Sequence, residues 1–119
     1  HSPAFRAALA EVDAALAPNL GWSPLARLEA GVTAEDLART EVAQPLLFAI
    51  QAALLAPLAE QGLRPAMTVG HSVGEVAAAH AAGLLDLEAA ARLVVARSAR
   101  QSRTAGHGRM AALQTTVED

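Results

Sequence analysis

Gly70-His71-Ser72-Val73-Gly74-Glu75 follows the short apolar run Ala66-Met67-Thr68-Val69 and leads into an alanine-rich stretch beginning at Val76. An apolar run, a serine with glycines two positions on either side, and a run of helix formers read together as a strand, a sharp turn and a helix. In an elbow of this kind the central residue takes a strained backbone conformation, and Gly70 and Gly74 keep Cβ atoms out of the tight strand-to-helix packing. Ser72 then stands at a helix N-terminus. Unpaired N–H groups there, that of Val73 among them, face any oxyanion formed when a carbonyl bonded to the serine becomes tetrahedral. Glu75 in the first turn suits the helix dipole.

Upstream of the elbow the pattern is helical. Ser2 caps a helix with Pro3 in its first position, and Phe5, Leu9, Val12 and Leu16 recur at helical spacing until Pro18, which is read as the stop. The stretch from Pro18 to Gly31 is a connector with Ser23-Pro24 as a second cap, and Thr33 with Asp36 resembles a capping box. Pro45 is expected to open a long helix whose core stripe is Leu47, Ile50, Leu54 and Leu58. Gly62 and Arg64-Pro65 end it, and residues 66–69 read as a buried strand. Downstream, Gly83 closes the helix after Ser72, Asp86 caps another running to about Thr104, and Gly106-His107-Gly108 breaks it before a strand-like run at 110–113. Helices flanking at least one buried strand argue for an α/β layer architecture.

Composition narrows the function. The chain has 119 residues, 53% of them hydrophobic, which suits one domain or part of one rather than a disordered segment. A net charge of −3 and three aromatic residues suggest neither a basic nucleic-acid surface nor a base-stacking platform. With no cysteine there are no disulfides, no thiolate catalysis and no cysteine-ligated metal, a composition compatible with the cytoplasm. No unbroken apolar run approaches the length of a membrane span, so no membrane partner is expected. All nine basic residues are arginine, so the mere presence of arginine rather than lysine at a position carries little weight. The first residue is His1, and the chain reads as a segment of a longer polypeptide.

The text around Ser72 resembles the acyltransferase domains of modular polyketide synthases and the related malonyl-CoA:acyl-carrier-protein transacylases. The resemblance rests on Gln44-Pro45-Leu46-Leu47-Phe48-Ala49, on the elbow continued through Val76-Ala77-Ala78-Ala79, on Ala82-Gly83-Leu84-Leu85-Asp86-Leu87-Glu88-Ala89-Ala90, on Arg97-Ser98, and on Gly106-His107-Gly108-Arg109-Met110. It implies a partial α/β-hydrolase-like acyltransferase core with a short parallel sheet flanked by helices, occupying 1–105, and the start of a small ferredoxin-like subdomain at 106–119. It implies that Ser72 takes an acyl group from malonyl-CoA or methylmalonyl-CoA as an oxygen ester. The group then passes to the phosphopantetheine thiol of an acyl carrier protein, in polyketide or fatty-acid biosynthesis. No bound cofactor or metal is implied, and the remaining domains of a multidomain synthase are expected partners. Val73, aliphatic after the serine, leans toward malonyl units by the same resemblance.

Arg97 is the residue that the resemblance assigns to the free carboxylate of the acyl group, and a guanidinium fork fits a carboxylate bidentately. Helix geometry bears on it separately. At about 100° per residue, Arg97 shares a face with Ala90, Leu93 and Val94, while Arg92 and Arg103 point elsewhere. A charge on a mostly apolar face needs a partner, from the protein or from a substrate. Gln44 is expected near the nucleophile, or else simply ends a connector before Pro45, and His71 is expected to line the pocket rather than carry a proton. The resemblance places an oxyanion glutamine before His1 and the activating histidine beyond Asp119, so these residues alone are expected to be inactive. Two other readings stay open: a serine hydrolase or thioesterase of the α/β-hydrolase kind, which shares the elbow, and a non-catalytic docking fragment.

Overall fold

The computed structural model describes residues 2–109 together with 111, 114 and 116, and its six helices are α1 (Pro3–Leu20), α2 (Pro24–Ala30), α3 (Ala34–Ala38), α4 (Thr40–Glu60), α5 (Gly74–Ala81) and α6 (Leu87–Ser102). Their starts follow local chemistry. Ser2 Oγ accepts from the Phe5 N–H at 3.2 Å, Ser23 Oγ from Ala26 at 3.0 Å, and Asp86 Oδ1 from Ala89 at 2.7 Å, each satisfying a donor that the first helical turn leaves unpaired. Thr33 and Asp36 form the reciprocal capping box. Asp13 on α1 accepts from Ser23 Oγ and from the Leu25 N–H, both at 2.8 Å, and so fastens the connector back onto the first helix.

Pro18 does not end α1. The helix runs on to Leu20, where Gly21 at φ +78° donates its N–H to Ala17 O at 2.9 Å and Asn19 Nδ2 donates to Ala15 O at 3.1 Å. These bonds close the last turn around the one that proline cannot make, whose net worth is about 1 kcal/mol. Pro45 likewise lies inside α4, five positions after its first residue, and the turn before it already buries Val42 and Gln44.

Helices α1, α4 and α6 pack on one another, with α5 against α4 and α6. The shared core holds Leu9, Val12 and Leu16 from α1, Phe48, Ala49, Ala52 and Ala53 from α4, and Ala90, Ala91 and Val94 from α6. Alanine at the contact lets helix backbones approach closely. The expected leucine stripe of α4 is displaced from this contact: Leu47, Leu54 and Leu58 are 47%, 45% and 43% exposed, whereas Phe48, Ala49 and Ala53 are fully buried. In an alanine-rich helix the small residues take the tight interface and the leucines flank it. By length and composition α4 could cross a membrane, which a count of unbroken apolar runs did not anticipate; in this fold it is the central core helix.

The expected parallel sheet is absent: no strand occurs among the described residues, and the fold they form is all-helical. Residues 66–69 connect α4 to α5 without a ladder partner, so Met67 and Val69 stand 85% and 92% exposed rather than buried. A strand needs a neighbour to pair its backbone, and no described segment supplies one. What holds this connector is Thr68, whose Oγ1 donates to Ala78 O on α5 at 2.9 Å. The run at 110–113 rests on positions 110, 112 and 113, which lie outside the described residues.

Where the connector meets α5, backbone touches backbone. A Cβ on Gly70 would lie 2.2 Å from both the carbonyl carbon and oxygen of Gly74, so only glycine fits. At Gly74 itself a Cβ would meet nothing nearer than Gln51 Nε2 at 3.9 Å. The two elbow glycines are therefore unequal. Gly70→Ala is expected to destabilise the chain by more than about 2 kcal/mol through forced backbone movement, while Gly74→Ala costs little or stabilises because alanine favours the helix by about 1 kcal/mol. Chemical denaturation of the two variants measures the difference.

The register of α4 is tested in the same way. Phe48→Ala is expected to cost about 3–5 kcal/mol and Leu54→Ala under about 1. A third expectation concerns acid. Asp36 is held below the usual aspartate value of 3.8, first by the Thr33 backbone N–H, then by the Thr33 side chain and the paired Arg27, against the opposing effect of burial. A carboxylate with a depressed folded value contributes stability above its unfolded value and loses it as pH falls through the folded one. Melting temperature followed downward from pH 4 should therefore fall less steeply in Asp36→Asn than in the parent chain.

Candidate active site

Ser72 has φ +57° and is the one non-glycine with positive φ among the described residues. That left-handed conformation costs roughly 1–3 kcal/mol and persists where its surroundings over-determine it. Here they do so from three sides. Gly70 is pressed against the first turn of α5, Val73 is buried in the core, and the Gly74, Glu75 and Val76 N–H groups donate to the carbonyls of His71, Ser72 and Val73 at 3.0, 3.1 and 3.1 Å. The Val73 N–H donates to no acceptor among the described residues. It stands next to Ser72 at the start of α5, where a developing negative charge would find it.

The side chains that reach the serine come from α6 and α4. Arg97 Nη2 donates to Ser72 Oγ at 2.9 Å, and Nη1 donates to Gln44 Oε1 at 2.6 Å and to Gln101 Oε1 at 3.1 Å. Gln44 Nε2 donates in turn to Gln101 Oε1 at 2.8 Å. The buried face of α6 is Ala90, Ala91, Val94 and Ser98, so Arg97 emerges half-buried at the edge of that face and points to the elbow. Its helix-mate Leu93 is 46% exposed, which places the guanidinium at the boundary of the core rather than inside it. A solvent-open groove along α6, lined by Leu93, Ala96, Arg97, Arg100, Gln101 and Thr104, leads to it.

No carboxylate lies within ion-pair distance of Arg97 among the described residues. The ion pairs there are Arg6–Glu29, Arg27–Asp36 and Arg39–Glu41. Among the described residues every partner of Arg97 is neutral. A half-buried cation held only by amides and a hydroxyl keeps its charge available to an anion from outside.

Ser72, Arg97 and Gln44 thus come together, with the Val73 N–H beside them. His71 does not join them: it is exposed and lines a separate cleft with Gln51, Leu55, Met67 and Ala77 that includes neither Ser72 nor Arg97. His80 places Nδ1 3.0 Å from Leu85 O, and its ring centroid lies 6.3 Å from that of Phe48, a packing role. His107 is exposed in the loop after α6. Among the described residues no histidine or carboxylate hydrogen-bonds Ser72 Oγ, and no group of three or more histidine, aspartate or glutamate side chains forms a metal-ligand set. Gln101 is the member that sequence reasoning missed. Its signal was the spacing of four from Arg97 on one helix, which puts the two side chains side by side.

The acyl transferase domain family matches this chain over residues 1–119. The chain is 46% identical to the erythronolide synthase EryA3 of Saccharopolyspora erythraea over 117 residues, 98% of its own length and 4% of that protein. It is 43% identical to the pikromycin polyketide synthase component PikAII of Streptomyces venezuelae over 113 residues, 94% of its length and 3% of the relative. It is 40% identical to the mycoketide-CoA synthase of Mycobacterium tuberculosis over 116 residues, 98% of its length and again 3% of the relative. The match is thus near-complete for this chain and a small part of each relative, and a strained serine met by an arginine with no counter-ion among the described residues lies within it: the chain belongs to the acyl transferase domain family.

Proposed function

We propose that these residues form the nucleophile-bearing part of a site that moves a malonyl-type acyl group from coenzyme A to the phosphopantetheine thiol of an acyl carrier protein, within a polyketide synthase. The observation that carries this reading is Arg97, which has no carboxylate partner among the described residues and places Nη2 2.9 Å from Ser72 Oγ. A transferase for uncharged acyl groups, or a general serine hydrolase, has no use for such a cation. An acyl group with a free carboxylate supplies the missing charge, and the short separation from the serine suits an acid as short as malonyl or methylmalonyl.

In the first half-reaction Ser72 Oγ attacks the thioester carbonyl, its proton passes to a base, and the coenzyme A thiolate leaves as the carbonyl re-forms. The base is the histidine that the family resemblance places elsewhere in the polypeptide. The Val73 N–H faces the oxyanion of the tetrahedral intermediate. In the second half-reaction the pantetheine thiol, giving up its proton, attacks the ester carbonyl, and Ser72 Oγ leaves with a proton restored. Holding the acyl carboxylate on Arg97 fixes the ester in one orientation between the two steps, so that approach of the thiol, rather than of water, decides turnover.

The full-length polypeptide incubated with malonyl-CoA should gain one malonyl mass on Ser72 by intact mass spectrometry, and Ser72→Ala should gain none. Arg97→Ala should lower the malonylation rate by roughly 100-fold, the scale of one charge-assisted interaction of up to about 3 kcal/mol. An adduct that survives Ser72→Ala, or malonylation indifferent to Arg97, would overturn the proposal.

A further inference from the structure

We infer that Gln101 is a positioning residue for acid-bearing acyl groups: by holding Nη1 of Arg97 it reserves the opposite Nε–Nη2 edge of the guanidinium for the free carboxylate of the group on Ser72. This rests on the reading above and adds the residue that aims the arginine. A guanidinium carries five N–H donors in a rigid plane, two on each Nη and one on Nε. Nη1 carries two hydrogens and has two acceptors, Gln44 Oε1 at 2.6 Å and Gln101 Oε1 at 3.1 Å. Gln101 Oε1 also accepts from Gln44 Nε2 at 2.8 Å, so the two amides and Nη1 close a triangle that restrains rotation of the guanidinium about its stem.

The rest of the fork is lightly used. Nη2 has Ser72 Oγ at 2.9 Å, and Nε donates to no acceptor among the described residues. This Nε–Nη2 edge offers two parallel N–H vectors, the arrangement that matches the two oxygens of a carboxylate. Esterification turns Ser72 Oγ into a weak acceptor and releases Nη2 at the moment when the acyl carboxylate arrives. The hydroxyl is therefore a placeholder for the acid. Because Gln101 lies one helical turn beyond Arg97 on α6, its grip moves with the arginine and does not depend on the elbow.

The neutrality of Gln101 is part of the device. A carboxylate at this position would still accept from Nη1, but it would pair with the cation and cancel the attraction that the Nε–Nη2 edge has for the acyl group. Gln44 holds the same nitrogen from α4, so the guanidinium is fixed from two helices by groups that carry no charge.

The test compares the wild-type full-length polypeptide with Gln101→Leu and Gln101→Glu, measuring by intact mass the second-order rate of Ser72 acylation from malonyl-CoA and from acetyl-CoA, which lacks the free acid. The ratio of the two rates separates aiming of the arginine from a general structural role. Gln101→Leu should lower the malonyl-to-acetyl ratio about tenfold, chiefly through a weaker apparent KM for malonyl-CoA. Gln101→Glu, which keeps length and acceptor atoms, should lower it further, and it decides the matter if the leucine variant does not fold. An unchanged ratio in Gln101→Glu, or equal loss of both acyl groups in Gln101→Leu, overturns the inference while wild-type malonylation of Ser72 leaves the proposed function standing. A wild-type protein that accepts no malonyl group on Ser72 overturns both.

Discussion

The contact of the Gly70 backbone with the first turn of α5 is the constraint from which the site follows. With no room for a Cβ at Gly70, the connector comes down directly onto Gly74 and must reverse within the residues between them. The reversal is achieved by a left-handed Ser72, and the price in backbone strain is met by packing of Val73 and by three short-range hydrogen bonds. Ser72 is thereby held out from the chain, with its hydroxyl available to a side chain from another helix.

That other side chain arrives because of how the helices pack. Alanines at the contacts of α1, α4 and α6 set the helix backbones close together, and closeness puts Gln44 on α4 and Arg97 on α6 within hydrogen-bonding reach. Larger residues at Ala49, Ala53, Ala90 or Ala91 would separate the helices and part the amide from the guanidinium. The core and the site therefore share one geometric requirement, met by the buried alanines of α4 and α6.

Much of this was legible in the sequence because its causes are local. Ser2, Ser23, the Thr33–Asp36 pair and Asp86 cap the helices they were read to cap. The strain at Ser72 is a property of six consecutive residues, and Arg97 is singled out by the family resemblance, with helical spacing setting it on a largely apolar face. The failures are of another kind. Residues 66–69 have strand composition, but a strand exists only when another segment pairs with it, and among the described residues none does. The buried face of α4 was misjudged because leucines carry the usual periodic signal, whereas in this helix alanines take the contact. Gln101 was missed because an amide on an arginine-rich helix has no chemical signature until its neighbour is known to be short of a counter-ion.

Every cation in the chain is an arginine, so composition says nothing about whether any one of them was selected for its shape. The surroundings of Arg97 do say it. Two amides on one nitrogen and a hydroxyl on the next demand a flat, branched donor set, and a lysine ammonium offers three hydrogens from a single tetrahedral point. Here the identity of the basic residue follows from geometry, and the same planarity that satisfies the glutamines leaves a straight edge that a point charge could never present.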